Sequence, residues 1–162
     1  MLYKVGNLKK VLPQHDVLII SVSSPFLIGL YHDKQLVQEW SSNEKISDAL
    51  LPLLMPILDT YDINSIIYTS GPGSHMATKL TFITLKTIEI AKGISCVGCS
   101  GFECNDNRPI KAMGNLYFVK EKETIITKKF DQAPNMSFAL PKNLQDIKLD
   151  FDAMPFHILP AV

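Results

Sequence analysis

A glycine-rich break between a strand-like run and a helix-like run is the feature that most constrains this chain. Residues 65–74 read SIIYTSGPGS, so β-branched and aromatic residues give way to Gly71, Pro72, Gly73 and Ser74. Glycine allows backbone angles that other residues resist, proline fixes its own φ, and serine is a favourable helix N-cap. The sequence therefore predicts a strand, a tight turn and a helix in direct succession.

Two interpretations of this turn remain open. A helix that starts directly after a strand has unpaired backbone N–H groups at its first turn, and these can bind an anion. A phosphate-binding turn would use Gly71, Gly73 and Ser74, with Lys79 as the nearest cation. We favour a purely structural turn, because glycine occurs in many turns that bind nothing. The stretch is not a Walker loop, since it lacks the Gly-Lys pair of that motif.

Composition narrows the class of protein. The chain has 162 residues, of which 46% are apolar and 20% charged, as expected of one soluble globular domain with a real core. Its 16 basic and 16 acidic residues argue against a dedicated nucleic-acid binder, so contact with nucleic acid would be local or indirect. The apolar runs are too short to cross a bilayer, and residues 1–16 lack a signal-peptide core. We expect a cytoplasmic protein that is not in a membrane.

Three cysteines lie close together in the sequence: Cys96, Cys99 and Cys104. A C-x-x-C spacing can hold zinc or form a redox pair. A tetrahedral zinc site needs a fourth ligand, and the nearest histidine, His75, precedes them on a different predicted element. We therefore expect reduced cysteines packed in the core and no metal site, with the zinc and redox roles as alternatives.

Hydrophobic patterning predicts several strands. Residues 17–24, VLIISVSS, form a nearly continuous apolar run that is typical of a strand buried on both faces. Residues 26–32 and 35–40 predict two more strands joined tightly at Asp33-Lys34, and residues 94–99 predict another after the second helix. Residues 124–127 predict a late strand.

Two helices are predicted from spacing of three and four residues. The first covers residues 45–59, is capped by Ser42 or Asn43, and kinks or begins a new segment near Leu51 because prolines lie inside it. The second covers residues 74–92 and ends at Gly93. Its predicted core face comprises Met76, Leu80, Ile83, Thr87 and Ile90.

Both predicted helices carry apolar residues beyond the single stripe that their own sheet can cover. Leu51 and Met55 lie off the main face of the first helix, and Phe82 and Leu85 off that of the second. A second apolar face favours association with another chain. We predict that these four residues bind a partner; the alternative is that the tail or helix packing covers them.

The order of elements is three strands, helix, strand, helix, strand, which is the layout of one lobe of the actin and sugar-kinase (ASKHA) type. The tail from Ala133 is spaced by prolines and has little periodicity, so we expect it to be irregular and laid over the surface. We predict an α/β protein with an actin-like lobe over residues 1–104. Residues 105–162 would form a second, abbreviated lobe and the irregular tail.

Four segments match a family pattern. Residues 17–23, VLIISVS, correspond to I-L-A-I-D-T-S, and residues 47–52, SDALLP, to S-E-x-L-L-P. Residues 69–79, TSGPGSHMATK, correspond to G-x-G-P-G-S-F-T-G-L-R, and residues 93–103, GISCVGCSGFE, to G-I-P-L-V-G-V-S-S-L-E. Through them, over roughly residues 17–118, the chain resembles the TsaB family, also described as glycoprotease-like. That family is the non-catalytic partner of TsaD in making threonylcarbamoyladenosine in tRNA.

The chain departs from the family at positions that matter for chemistry. Ser21 replaces the family's early aspartate, His75 its phenylalanine and Lys79 its arginine, while residues 110–117, IKAMGNLY, lose the charges of D-A-R-x-G-E-V-Y. An ATPase of this fold needs carboxylates to hold a divalent metal, which Ser21 cannot do. No G-x-S-x-G or Cys-His arrangement supports proteolysis. We therefore predict no catalytic residue, no metal and no enzymatic activity.

The resemblance implies a scaffold subunit. It would bind a TsaD-like catalytic subunit, alongside a TsaE-like ATPase, and contact tRNA only indirectly. It would hold no cofactor of its own, with ATP or ADP bound only at the interface with the partner. When the partner is absent, it would form a homodimer through the surface that otherwise binds the partner. The alternative function is a nucleotide-binding ATPase or kinase-like enzyme of the actin-like fold, which would use the phosphate-binding turn.

Overall fold

A computed structural model describes residues 13–153, and the parts of the predicted lead-in and tail at residues 1–12 and 154–162 lie outside this range. A six-stranded sheet forms its main layer, with strands β1 (Gln14–Ile20), β2 (Phe26–His32), β3 (Gln35–Ser42), β4 (Asp62–Gly71), β5 (Ser95–Ser100) and β9 (Leu149–Asp150). The order of the strands across the sheet is β3-β2-β1-β4-β5-β9.

The three predicted opening strands are present and form an antiparallel meander, but the first spans Gln14–Ile20 and not residues 17–24. β1 and β2 pair antiparallel, as do β2 and β3, and their link, Asp33-Lys34, has both φ angles positive, at 50° and 67°. Positive φ at both central residues is the geometry of the two-residue turn that matches strand twist. β1, β4 and β5 then run parallel to one another. Their carboxyl ends therefore meet at one edge of the sheet.

The first helix, α1 (Ile46–Thr60), is one continuous element. It runs through Pro52 and Pro56, so no new segment begins near Leu51 and that alternative of the prediction is wrong. The predicted caps are wrong too: the N-cap is Lys45, without a side-chain hydrogen bond. Ser42 cannot cap the helix because it still belongs to β3 and accepts a hydrogen bond from the backbone of Glu44.

The second helix, α2 (His75–Lys92), begins and ends as predicted. Ser74 is its N-cap and accepts a hydrogen bond from the backbone N–H of Ala77, and Gly93 ends it at φ 70°. However, the predicted core face is wrong. The residues that face the sheet are Thr78, Thr81, Leu85 and Ile88, whereas Met76, Ile83 and Ile90 are exposed. Both faces carry apolar residues at helical spacing, so periodicity alone did not distinguish them.

The tail covers the face of the large sheet that the helices leave open. Leu144 and Ile147 pack against residues of β1, β2 and β4, including Tyr31. The Tyr31 hydroxyl donates to the carbonyl of Pro141 at 2.7 Å, and the backbone N–H of Leu36 donates to Lys142 at 3.0 Å. The tail is irregular up to Lys142 and lies over the surface, both as predicted, and it is anchored by Leu144 and Ile147, which are buried in the core.

A separate three-stranded antiparallel sheet lies after β5 and a short 3₁₀-helix (Gly101–Cys104). The strands are β6 (Ile110–Met113), β7 (Leu116–Glu121) and β8 (Thr124–Lys129), of which the sequence predicted only the last. Their order across the sheet is β6-β7-β8. The hydrophobic face of this sheet packs on Phe102 and Phe138.

Candidate functional site

The carboxyl ends of β1 and β4 are joined by a buried hydroxyl pair. The backbone N–H of Ser21 donates to the hydroxyl of Thr69 at 3.0 Å, and the two hydroxyl oxygens lie 3.3 Å apart. Both residues are buried. Ser21 stands where the family resemblance places an aspartate. The position therefore holds two neutral groups that bond to each other, and it offers no carboxylate to a divalent cation.

The two glycines of the strand-to-helix turn are needed for different reasons. Gly71 has φ 125°, which only glycine adopts readily. Gly73 does not have a positive φ of this kind. Instead, a Cβ at Gly73 would lie 2.7 Å from Cγ1 of Val22. The second glycine is therefore required by the close packing of β1's end against the turn.

The structure brings Gly71, Gly73 and Ser74 together but leaves Lys79 apart. The Ser74 hydroxyl already satisfies one backbone N–H at the start of α2, and the Val22 side chain occupies the space over Gly73. Lys79 is exposed one turn further along α2, and it lines neither of the two cavities that are described below. This packing favours the structural interpretation of the turn over a phosphate site.

A cleft of about 540 Å³ lies at the carboxyl ends of β4 and β5, between the two sheets. The backbone N–H of Lys148 donates to the Glu103 carboxylate at 2.7 Å across it. Carboxylates outnumber lysines in the lining, so the cleft has no excess of positive charge for a phosphate group. Its charged lining residues are Glu103, Lys120, Glu123, Lys148, Asp150 and Asp152.

Within residues 13–153 the possible metal ligands are not grouped, and the three cysteines are buried. Within this range no three His, Cys, Asp or Glu side chains are arranged to hold a metal ion. Cys96, Cys99 and Cys104 are free and buried, which confirms the predicted packing role. Burial raises the pKa of Cys96 to about 11. The pKa of Cys99 is also raised, by a hydrogen bond with Cys104 and by burial.

The four residues predicted to bind a partner have different environments. Leu51 is exposed, with 47% of its surface accessible. Met55 and Phe82 are partly buried and pack against the core, where the Phe82 ring lies 6.5 Å from that of Tyr68. Leu85 is fully buried between α2 and the sheet. Leu85 is therefore a core residue in this structure and is not available to a partner.

The exposed side of α2 carries an apolar stripe that the sequence reasoning assigned to the core. Met76, Ile83 and Ile90 are 68%, 57% and 85% exposed and recur every seven residues. A second set of residues at helical spacing could have revealed the true core face: Thr78, Thr81, Leu85 and Ile88. The small threonine side chains in this set allow the helix to pack close to the sheet. We call Met76, Leu80, Ile83, Thr87 and Ile90 the exposed stripe.

The exposed stripe continues into a groove at the N-terminal ends of the two helices. The groove has a volume of about 310 Å³ and a mainly apolar lining. Met76 and Leu80 belong to both features, and Phe26 of β2 and Ile46 of α1 also line the groove. The stripe and the groove adjoin at Met76 and Leu80, so an apolar surface continues from the exposed side of α2 to the end of the sheet.

Neither helix within residues 13–153 has the length and the apolar character needed to cross a membrane.

Comparisons with known proteins identify the fold but not a sequence family. No model of a protein family matches the chain, and no curated protein matches it by sequence. Among solved structures, one described as an uncharacterized protein with similarity to peptidase YeaZ from Pseudomonas aeruginosa is similar, with a TM-score of 0.51 and 12% identity. The match covers 72% of this chain and 64% of that one. This chain therefore spans slightly less than two thirds of that structure.

A second similar structure is YeaZ from Pseudomonas aeruginosa, with a TM-score of 0.51 and 11% identity, covering 79% of this chain and 71% of that one. At such low identity the likeness concerns the fold alone. It confirms the predicted α/β, actin-like fold class.

Proposed function

We propose that this protein is a non-catalytic subunit that binds a TsaD-like catalytic partner and thereby supports formation of threonylcarbamoyladenosine in tRNA. The four matching sequence segments support a TsaB-type role, and the structural likeness to YeaZ, which is TsaB under another name, supports the corresponding fold. Contact with tRNA would be made mainly through the partner, with a TsaE-like ATPase in the same system.

The exposed stripe is the observation that carries this proposal. Three large apolar side chains project from a helix whose opposite face is already buried against the sheet. Residues that alternate at spacings of four and three match the pattern by which two helices pack side by side. A helix of another actin-like lobe is the partner element that fits such a stripe. Ile83 and Ile90 would be the central contacts, with Leu51 of α1 near the edge.

The hydroxyl pair supports a non-catalytic role. Ser21 and Thr69 are buried and bonded to each other, so neither is placed to hold a metal or to orient a water molecule. The function of the chain would then lie in its surface. Removing the apolar character of the stripe should remove the function while leaving the fold intact.

The test is co-purification with a co-expressed TsaD-like protein, together with measurement of the modified nucleoside in tRNA. We expect the double variant Ile83→Glu, Ile90→Glu to lose both, with an unchanged circular dichroism spectrum because both side chains are exposed. The matched control is Val37→Glu, Phe151→Glu, which places two charges on exposed apolar residues elsewhere. This control should bind the partner normally.

Two outcomes would contradict the proposal. Complex formation by the folded stripe variant would place the interface elsewhere, and equal loss in both variants would show that added charge rather than the stripe is responsible.

The same stripe would pair two copies of the chain when no partner is present. Sedimentation of the isolated wild-type protein should then show a dimer that the stripe variant converts to a monomer.

The position of the cleft, although not its charge, suits a second candidate, a nucleotide-binding ATPase or kinase-like enzyme. Ligands of open α/β sheets bind outside the carboxyl ends of the strands, which is where the cleft lies. Calorimetry with ATP, with and without Mg²⁺, separates the two functions. Tight Mg²⁺-dependent binding with turnover that Glu103→Gln abolishes would favour the enzyme; absence of both is expected for the scaffold.

A further inference from the structure

We propose that a cavity between the turn after β1 and the small sheet binds a small organic acid, a monocarboxylate with an apolar body. The cavity has a volume of about 400 Å³, which is within the range of small-molecule pockets. Three parts of the chain line it: the turn at residues 22–25 with Leu27, the start of β6, and residues 136–138 of the tail. It shares no lining residue with the cleft at the ends of β4 and β5.

The inner part of the cavity is apolar and firmly built. Ile110 is buried, and Leu27 and Phe138 are partly buried. Phe138 packs against the cores of both sheets. The tail is held beside it because the backbone N–H of Ala139 donates to the carbonyl of Cys104 at 3.0 Å. The chain makes these contacts by itself, so a ligand would meet walls that are already in place.

The polar groups of the lining lie at its exposed rim and can serve as donors. Lys111, Ser24 and Ser137 are exposed, and none of the lining residues is acidic. Within residues 13–153 Lys111 forms no ion pair, and the hydroxyls of Ser24 and Ser137 form no hydrogen bond. The hydroxyl of Ser23 already donates to the carbonyl of Pro25 at 2.7 Å. One ammonium group and two hydroxyls can therefore donate to an anion.

The charge of the rim selects a monocarboxylate over a nucleotide or a zwitterion. Lys111 is the only charged residue in the lining, so it can neutralise one negative charge. A nucleoside triphosphate carries several negative charges and is bound with metal ions and further cations. An ammonium group on the ligand would need a carboxylate, which this lining does not contain. With its carboxylate at Lys111, the ligand can lay its apolar body against Ile110 and Phe138.

The test is an NMR titration of the isotope-labelled full chain with phenylbutyrate, and with phenylbutanamide as its neutral analogue. We expect the acid to bind with a Kd of about 1 mM or below, as is usual for a ligand of this size. It should shift the backbone amide resonances of Leu27, Ile110 and Phe138. The amide should bind about tenfold or more weakly because it offers no charge to Lys111.

Lysine variants assign the effect to the cavity. Lys111→Gln should weaken binding of the acid about tenfold or more and leave binding of the amide unchanged. The matched control is Lys79→Gln, which removes an exposed lysine of α2 that does not line the cavity. This control should bind both compounds as the wild type does.

Four results would overturn the proposal. These are absence of binding by the acid, equal affinities of the acid and the amide for the wild type, equal weakening by the two lysine variants, and resonance shifts confined to residues outside the cavity. Co-purification with the TsaD-like partner is measured in parallel. Lys111→Gln should retain the partner and the stripe variant should retain the acid, so each proposal can fail without the other.

Discussion

The backbone N–H of Ser21 donates to the side-chain oxygen of Thr69, and this buried bond at 3.0 Å ties the end of β1 to β4. It lies at the sheet edge where the cleft opens and where the family pattern places an acid. The Ser21 hydroxyl makes only longer contacts, at 3.3 Å to the Thr69 hydroxyl and 3.5 Å to the Thr69 carbonyl. The Thr69 hydroxyl is therefore the more important member of the pair.

Thr69→Val should destabilise the protein more than Ser21→Ala does. Valine has the shape of threonine but accepts no hydrogen bond, so the buried N–H of Ser21 would lose its partner at a cost of about 1–3 kcal/mol. Ser21→Ala removes only the longer contacts and should cost about 1 kcal/mol or less. Urea unfolding measures both changes. Equal costs would show that the N–H of Ser21 finds another partner.

Gly73→Ala should destabilise the turn because its new Cβ would collide with Val22. The contact would be 2.7 Å to Cγ1 and 2.8 Å to Cβ, so the backbone must move. We expect a cost of about 1–3 kcal/mol. Adding Val22→Ala should recover part of it. Thermal unfolding of the single and double variants checks this, and a double variant no more stable than Gly73→Ala would indicate that the glycine serves another purpose.

Leu85→Ala and Ile83→Ala should differ sharply although they are two residues apart on α2. Leu85 is fully buried, so its truncation leaves a cavity and should cost about 2–5 kcal/mol. Ile83 is 57% exposed, and its truncation should change stability by about 0.5 kcal/mol or less. Chemical denaturation of the two variants measures this directly. The reverse order would mean that the helix presents its other face to the sheet.

The three cysteines should be unreactive in the folded protein. They are buried, and a pKa of about 11 for Cys96 leaves about one thiolate in a thousand at pH 8. We expect a disulfide reagent such as DTNB to react with no thiol within minutes under native conditions and with three after denaturation. Rapid reaction of a thiol in the native protein would favour a redox or metal-binding role for it.

Glu89 should make stability depend on pH in the acidic range. Its pKa is lowered from 4.5, first by the hydrogen bond from the backbone N–H of Cys96 and then by Lys86. A carboxyl with a lowered folded pKa stabilises the protein above its unfolded pKa, and this contribution is lost as pH falls through the folded value. Glu89→Gln should therefore flatten the dependence of the unfolding free energy on pH below about 4.5.

The size of this effect should be small, because a third of the Glu89 side chain is exposed and water screens it. The control is Lys86→Gln, which should keep most of the pH dependence because the Cys96 hydrogen bond remains. Free energies of unfolding measured between pH 3 and pH 7 test both variants. An unchanged profile in Glu89→Gln would assign the acid sensitivity to other carboxyl groups.

Features that depend on a few neighbouring residues were predictable from the chain alone. The tight link at Asp33-Lys34, the N-cap at Ser74 and the helix end at Gly93 all follow from local backbone chemistry, and the structure has them at those residues. The buried part of β1, from Val17 to Ile20, follows from an unbroken apolar run, which is typical of a strand covered on both faces.

Features that depend on distant neighbours were decided by the tertiary structure. Two faces of α2 are apolar, and only the sheet beneath it selects Leu85 rather than Ile83 for burial. The tail lacks periodicity, yet the Tyr31 hydroxyl holds it at Pro141 across 110 positions of sequence. The need for glycine at position 73 comes from Val22, in the segment that follows β1 and lies far from the turn in sequence. Whether a residue is buried depends on its neighbours in space, and a local sequence pattern does not say which residues those are.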